Sequence, residues 1–220
     1  MRSLRRRPLA ALIAGTTVRS ALSNARSRAP HADNRLTGLL DAAAAQFATK
    51  GFQAASIRDI VGAVGMLPGS LYYHFANKDE LLLAVYAESV RRIDSAVTVA
   101  VATENDPWAR LEAACVAHLE SLLDQSAYAQ VVVSVQPRDA SPVAAALTAL
   151  RDGYERKFVT LLAALQLPAC SDRKTMRMLL LGALNWTPVW YRPGGATPRK
   201  IARDYVQLLK RTATGIARDL

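Results

Sequence analysis

Residues 68–75 read PGSLYYHF, only a few positions beyond a short apolar segment that Gly65 closes. Two short helical segments joined by a tight glycine-containing turn cannot be stable by themselves, because neither buries enough apolar surface. Both must pack on a longer helix, and the sequence supplies one just upstream. Leu36, Leu39, Leu40, Ala43, Ala44 and Phe47 recur at the one-face spacing of a helix of about four turns, and Gly51 stops it. Phe52 restarts the apolar pattern. SIRD at 56–59 has the serine-x-x-acid form of a capping box and opens a short helix through Ile60, Val61 and Val64. Pro68 then suits the first turn of a third helix, where its missing N–H costs nothing. Asn77 caps a fourth, with Glu80 as its capping partner.

A long helix carrying two short ones is the outline of a helix-turn-helix, with PGSLYYHF as the second short helix. Leu71 and Phe75 are four apart and anchor it, while Gly69, Ser70, Tyr73 and His74 lie around the other side and Tyr72 falls between the faces. Aromatics at this spacing commonly form core, and for Phe75 that reading holds. For Tyr73 and His74 it fails, because burial would leave a hydroxyl and an imidazole to satisfy in a domain of only some 45 residues. Small Gly69 and Ser70 let the backbone approach base edges, and Tyr73 and His74 offer phosphate donors. Lys78 sits in the first turn of the next helix, where dipole and charge both attract phosphate. The full expected DNA-contact set is Ser56, Arg58, Pro68, Gly69, Ser70, Tyr72, Tyr73, His74 and Lys78.

Charge agrees with a polyanionic partner. The 220 residues hold 28 Lys and Arg against 18 Asp and Glu, a formal net charge of +10. The excess is concentrated at the start, where residues 1–34 carry seven Arg and one acid. That segment, beginning RSLRRRPLAALIAG, fits three readings: a disordered basic arm adding phosphate contacts, a stretch without function from a start assigned too far upstream, or an export signal, against which its weak apolar run counts. At 51% hydrophobic the chain can bury a substantial core, and no apolar run approaches the ~18 residues of a membrane span. Cys115 and Cys170 stand far apart without metal-site spacing and suit reduced, buried small hydrophobes in a cytoplasmic protein.

RLTGLLDAAAAQFATKGF, ASIRDIVGAVG and PGSLYYHFANKDELL together resemble the DNA-binding head of TetR-type transcriptional regulators, unbroken over residues 35–83. The resemblance implies an all-α fold: a three-helix head followed by a helical ligand-binding and dimerisation domain over 84–220. It implies a homodimeric repressor on a palindromic operator in double-stranded DNA, released by a small molecule. One departure is visible. Leu67 precedes the proline where family members commonly carry Ser, Thr or Ala, and leucine can neither cap a helix nor touch phosphate.

Beyond residue 84 the chain reads as helices. Pro107 starts a fifth; AYAQVVVSV is read as a buried helix despite its valines; Gln136, Pro137 and Pro142 bracket a loop; Val143 to about Leu165 forms another. Ser171 or Asp172 opens the next, with a kink expected near Pro188, and Thr197 caps the last. LLLGALNW is hydrophobic on nearly every side, which predicts burial between its own core and a second subunit. NWTPVWYRPGG is also similar to a subgroup of the family responsive to fatty acids and CoA thioesters, which implies a fatty acid or acyl-CoA effector.

Trp108, His118, Tyr128, Tyr154, Phe158, Asn185 and Trp186 form the expected lining of a pocket for a largely hydrophobic ligand, although each taken singly suits core packing equally well. No cofactor is implied. The chain lacks Gly-x-Ser-x-Gly, His-Glu-x-x-His and any phosphate-cradling glycine-rich loop, which argues against an enzyme. A non-specific architectural DNA-binding protein is the alternative that charge alone permits, and the nearly neutral second half counts against it.

Overall fold

The structure, a computed structural model, describes residues 30–135, 142–168 and 171–215. The basic segment 1–29, Gln136 and Pro137 of the expected loop, and Cys170 lie outside the described residues. Nine helices and no strand occur among those described: α1 (Pro30–Ala54), α2 (Ile57–Ala63), α3 (Pro68–His74), α4 (Lys78–Ala102), α5 (Pro107–Leu123), α6 (Ala127–Ser134), α7 (Ala144–Ala163), α8 (Arg173–Trp190) and α9 (Pro198–Gly215). The valine-rich segment is helical, as its neighbours require. The first helix starts at Pro30, earlier than the apolar pattern alone indicated, with proline at the position that needs no donor.

Local chemistry sets the boundaries. Gly51 interrupts α1 with φ 75° and ψ 160°, a conformation that other residues rarely adopt, and the chain bends there so that Phe52 returns to Phe47 with ring centroids 5.5 Å apart. The Ser56 side chain accepts the Asp59 N–H at 3.1 Å to open α2. Gly65, at φ 65°, makes the turn into α3. Asn77 accepts the Glu80 N–H at 2.8 Å, and Glu80 accepts the Ala76 N–H at 2.9 Å. Asp106, Ser126, Asp172 and Thr197 cap α5, α6, α8 and α9 in the same way.

The core consists of two apolar clusters. One gathers Leu39, Phe47, Ile60, Leu71, Leu81 and Val85 of α1–α4 with Tyr128 and Val131 of α6 and Leu147 of α7. The other gathers Ile93 and Val97 of α4 with Leu111, Leu119, Phe158, Leu162, Leu184 and Val206 of α5 and α7–α9. The α4 helix belongs to both, and at ~1.5 Å per residue its 25 residues extend about 37 Å. Leu71, wholly buried, holds α3 to the first cluster; burying a leucine contributes about 1.5–3 kcal/mol.

Within its own chain α8 is covered on one side only, the side that the expectation gave to its own core. Leu180, Leu181 and Leu184 are buried within their own chain, whereas Met178, Leu179, Trp186, Val189 and Trp190 form an exposed apolar stripe on the opposite side. Helical residues three and four apart share a face, which divides this segment into a core face and a second, open one.

Candidate nucleic-acid interface and interior polar site

α3 presents the residues expected to meet DNA. Leu71 is buried beneath it, Phe75 is half-buried at its end, and Gly69, Ser70, Tyr72, Tyr73 and His74 are exposed. Tyr73 is 77% exposed, with its ring edge-on to His74 at 5.2 Å. Exposing an aromatic so fully places a donor and a flat apolar surface outside the core, which suits contact with a groove. Leu67 caps α3 without a side-chain hydrogen bond, as its chemistry dictates, and Pro68 occupies the first turn.

Two further members of the expected DNA set carry structural bonds. Ser56 is exposed, but its hydroxyl oxygen already accepts the Asp59 N–H. The neighbouring Arg58 side is open, while Lys50 pairs with Asp59 at 2.9 Å and holds that carboxyl below its ordinary range. Lys78 donates to the Gln53 and Ala55 carbonyls, both at 3.1 Å, with its ammonium 4.7 Å from the Phe52 ring centroid. It thereby satisfies carbonyls left open at the end of α1 and ties that end to the start of α4. An ammonium has three N–H donors, so one remains for a phosphate. Sequence reasoning missed this tie because no local pattern announces a partner 23–25 residues away.

Tyr128, expected in the pocket, lies elsewhere, in the first cluster where α6 meets α1 and α4. Its hydroxyl donates to Asp41 Oδ1 of α1 at 2.9 Å, and the Arg92 guanidinium of α4 lies 3.8 Å over its ring. Arg92 also approaches Asp41 Oδ1 at 3.6 Å and donates to Glu88 Oε1 at 2.9 Å. Burial and the adjacent Asp41 carboxylate raise the Tyr128 pKa, so the phenol keeps its proton and acts as donor.

The interior of the second cluster brings four of the seven pocket candidates together. His118 of α5, 4% exposed, has Nδ1 2.7 Å from the Tyr154 hydroxyl of α7 and Nε2 3.1 Å from Asn185 Oδ1 of α8. Phe158 packs edge-on to both His118 and Tyr154. The partners assign the tautomer: a carboxamide oxygen only accepts, so Nε2 carries the hydrogen and Nδ1 accepts from the tyrosine. Burial pushes the His118 pKa down to about 4, partly opposed by the Asn185 bond, so the ring is neutral near pH 7. Burial likewise raises Tyr154 and the nearby Cys115 thiol, leaving both protonated.

Trp108 and Trp186 do not join this group. Trp186 is 63% exposed on the apolar stripe of α8. Trp108, with the Lys210 ammonium 5.6 Å from its ring centroid, lines a cleft of about 520 Å³ between α5 and α9, bordered also by Ala113, Ala117, Arg199 and Gln207. Arg203 and Gln207 bridge that cleft to Glu112 at 2.9 and 3.2 Å. No cluster of metal-ligating side chains and no helix long and apolar enough to cross a membrane occurs among the described residues.

Comparison with known proteins matches these two halves separately. The family described as bacterial regulatory proteins, tetR family, matches residues 39–85, and the tetracyclin repressor-like C-terminal domain matches residues 104–213. The chain is 31% identical over 182 residues to the HTH-type transcriptional repressor KstR2 of Rhodococcus jostii, covering 80% of this chain and 89% of that one. Among solved structures, the TetR family transcriptional regulator PfmR from Thermus thermophilus aligns with TM-score 0.63 and 26% identity over 79% of this chain and 97% of its own. AibR in complex with isovaleryl coenzyme A and operator DNA aligns with TM-score 0.66 at 22% identity, over 79% and 97%. At that identity the likeness to AibR is one of fold.

Proposed function

The chain belongs to the TetR family of bacterial regulatory proteins, transcriptional regulators rather than enzymes, and on that premise we propose a homodimeric cytoplasmic repressor that holds a palindromic operator and is released by a hydrophobic small molecule. The observation that carries this reading is α3. Leu71 anchors it to the core, and Ser70, Tyr72, Tyr73 and His74 stand exposed along the other side. Tyr73 and His74 serve as groove and phosphate contacts, Arg58 and the remaining N–H of Lys78 as phosphate contacts. A two-fold dimer presents two such helices and therefore selects an inverted repeat.

The seam of that dimer is the open face of α8 with its neighbour α9. From Met178 to Tyr191 α8 and its cap contain no charged residue. Gly182 lies at the centre of the exposed stripe, where an added Cβ would meet open space, and Trp186 stands one turn further on. A two-fold contact sets the same patch of each subunit against its partner's. Leu208 of α9 is also exposed.

The effector reading rests on this chain's own interior. His118, Tyr154 and Asn185 offer uncharged hydrogen-bonding groups among Phe158 and leucines, a setting for an apolar ligand with one polar function, such as the acyl end of a fatty acid or acyl-CoA. A ligand shifts operator affinity only if it favours one arrangement of the two heads. Gel-shift titration on inverted repeats upstream of the protein's own gene tests the DNA reading: wild type binds one repeat tightly, and Tyr73→Ala weakens it by about 1–3 kcal/mol. Equal affinity of both proteins for every fragment would overturn the role of α3. Thermal shift against acyl-CoAs and free fatty acids tests the effector class.

A further inference from the structure

Thr187 is wholly buried, so on the exposed side of α8 between Met178 and Trp190 Asn185 is, apart from the indole N–H groups of the two tryptophans, the one polar side chain. At about 100° per residue it stands at the edge of the apolar stripe, next to the core-facing Leu181. Its carboxamide therefore faces two ways. Oδ1 accepts from His118 Nε2 inside the subunit, and Nδ2 has no hydrogen-bond partner among the described residues. A carboxamide nitrogen carries two donors, which cost free energy if an apolar seam covers them unpaired. A single asparagine in an apolar helical seam fixes register and oligomeric state at some expense in stability.

We propose that Asn185 sets the register of the homodimer by donating from Nδ2 to an acceptor on the second copy, and that the buried His118–Tyr154 pair dictates which end of its carboxamide faces out. The inference rests on the α8 seam proposed above. The chain of orientation runs outward from Tyr154. Its hydroxyl lies 2.7 Å from His118 Nδ1 and has no other acceptor among the described residues, so it donates there and leaves the ring hydrogen to Nε2. That hydrogen holds Asn185 Oδ1 inward and leaves Nδ2 outward. Without the tyrosine hydroxyl the imidazole is free to take the other tautomer, whose Nε2 lone pair prefers the amide nitrogen. The carboxamide then turns over and shows the seam an acceptor instead of a donor. A buried hydroxyl on α7 thus governs the polarity of the subunit surface, and any ligand that takes the Tyr154 hydrogen bond acts on the dimer by the same route.

Sedimentation of the full-length protein tests this with three substitutions. Trp186→Glu places a charge in the seam and is expected to give monomer; a dimer unchanged by it would overturn the α8 seam itself, and this inference with it. Asn185→Leu is expected to keep self-association but lose uniqueness, giving species beyond the dimer alongside it. Tyr154→Phe, on a different helix from the exposed stripe, is expected to raise the dimer dissociation constant about tenfold, the equivalent of ~1.4 kcal/mol. Nuclear magnetic resonance of the Asn185 side-chain amide reads the turnover directly, and Asn185→Asp supplies a check independent of assembly: a carboxylate beside Nε2 must raise the His118 titration above its value of about 4. If Trp186→Glu gives monomer while Asn185→Leu and Tyr154→Phe both yield a uniform dimer of unaltered affinity, the seam stands and the role of Asn185 falls. An unmoved His118 titration in Asn185→Asp would equally remove the link on which it depends.

Discussion

Replacing Tyr128 with Phe removes one hydroxyl and leaves everything else at the joint of α6 with α1 and α4 in place. The hydroxyl donates at 2.9 Å to Asp41 Oδ1, a charged acceptor, from a residue 6% exposed. A hydrogen bond to a charged group is worth roughly 1.5–3 kcal/mol when its surroundings exclude water. Here the Asp41 side chain is 54% exposed and Arg92 lies beside it, so water and the guanidinium take over part of the interaction. Phenylalanine leaves no orphaned donor and keeps the Arg92 contact over the ring, worth ~0.5–1 kcal/mol. The expected loss is about 1–2 kcal/mol of stability. Urea denaturation followed by circular dichroism measures it, with the slope unchanged if the ensembles are unaltered. A double-mutant cycle with Asp41→Ala isolates the pair, because neither residue then has the other to bind. A coupling below about 0.3 kcal/mol, the usual limit of additivity, would show that the joint is held by Tyr128's apolar ring alone. The same bond ties α6 to α1 of the head, so Tyr128→Phe should speed hydrogen exchange in α1.

Lys78→Met should cost the head about 1–2 kcal/mol by freeing the Gln53 and Ala55 carbonyls, seen in the same denaturation assay, and should lower the salt slope of DNA binding by about one if its third N–H meets a phosphate. Tyr73→Ala, by contrast, should change stability by less than about 0.5 kcal/mol, since it removes an exposed side chain, and its effect should appear only with DNA. His118 gives stability a pH dependence. Its folded pKa of about 4 lies below the ordinary 6.5, so the unfolded chain binds the extra proton and stability is lost as pH falls from 6.5 towards 4. The loss attributable to this ring is on the order of 3 kcal/mol, and His118→Gln should abolish that part of the acid limb.

Helix ends and the head were legible because their signals are local. Ser56, Asn77 and Thr197 followed by an N–H three positions on, Gly51 and Gly65 at positive φ, and Pro68 and Pro198 at first turns are read from a few adjacent residues. The exposure of Tyr73 followed from the spacing of Leu71 on the same short helix. What escaped sequence reasoning lay across helices. Lys78 and Tyr128 find partners 25 and 87 positions away, and no periodicity announces either. Trp186 and Asn185 are adjacent, yet one points to the open stripe and the other reaches His118, a difference set by ~100° of helical rotation. The apolar run LLLGALNW predicted a helix shared between its own core and a second subunit, but composition does not say which of its residues face the core. Only the packing of Leu181 and Leu184 does that.

Selection of bound fragments from random double-stranded DNA by the purified full-length protein, at fixed salt, tests the central claim most directly. A homodimer reading through two copies of α3 predicts enrichment of one inverted repeat whose half-site centres lie about 10–10.5 base pairs apart or a multiple of that. It also predicts affinity for that repeat at least about a thousandfold above bulk DNA at the same salt. A bound pool that stays random, with affinity set by ionic strength alone, would show that the +10 charge and not the helix determines binding, and would contradict the account.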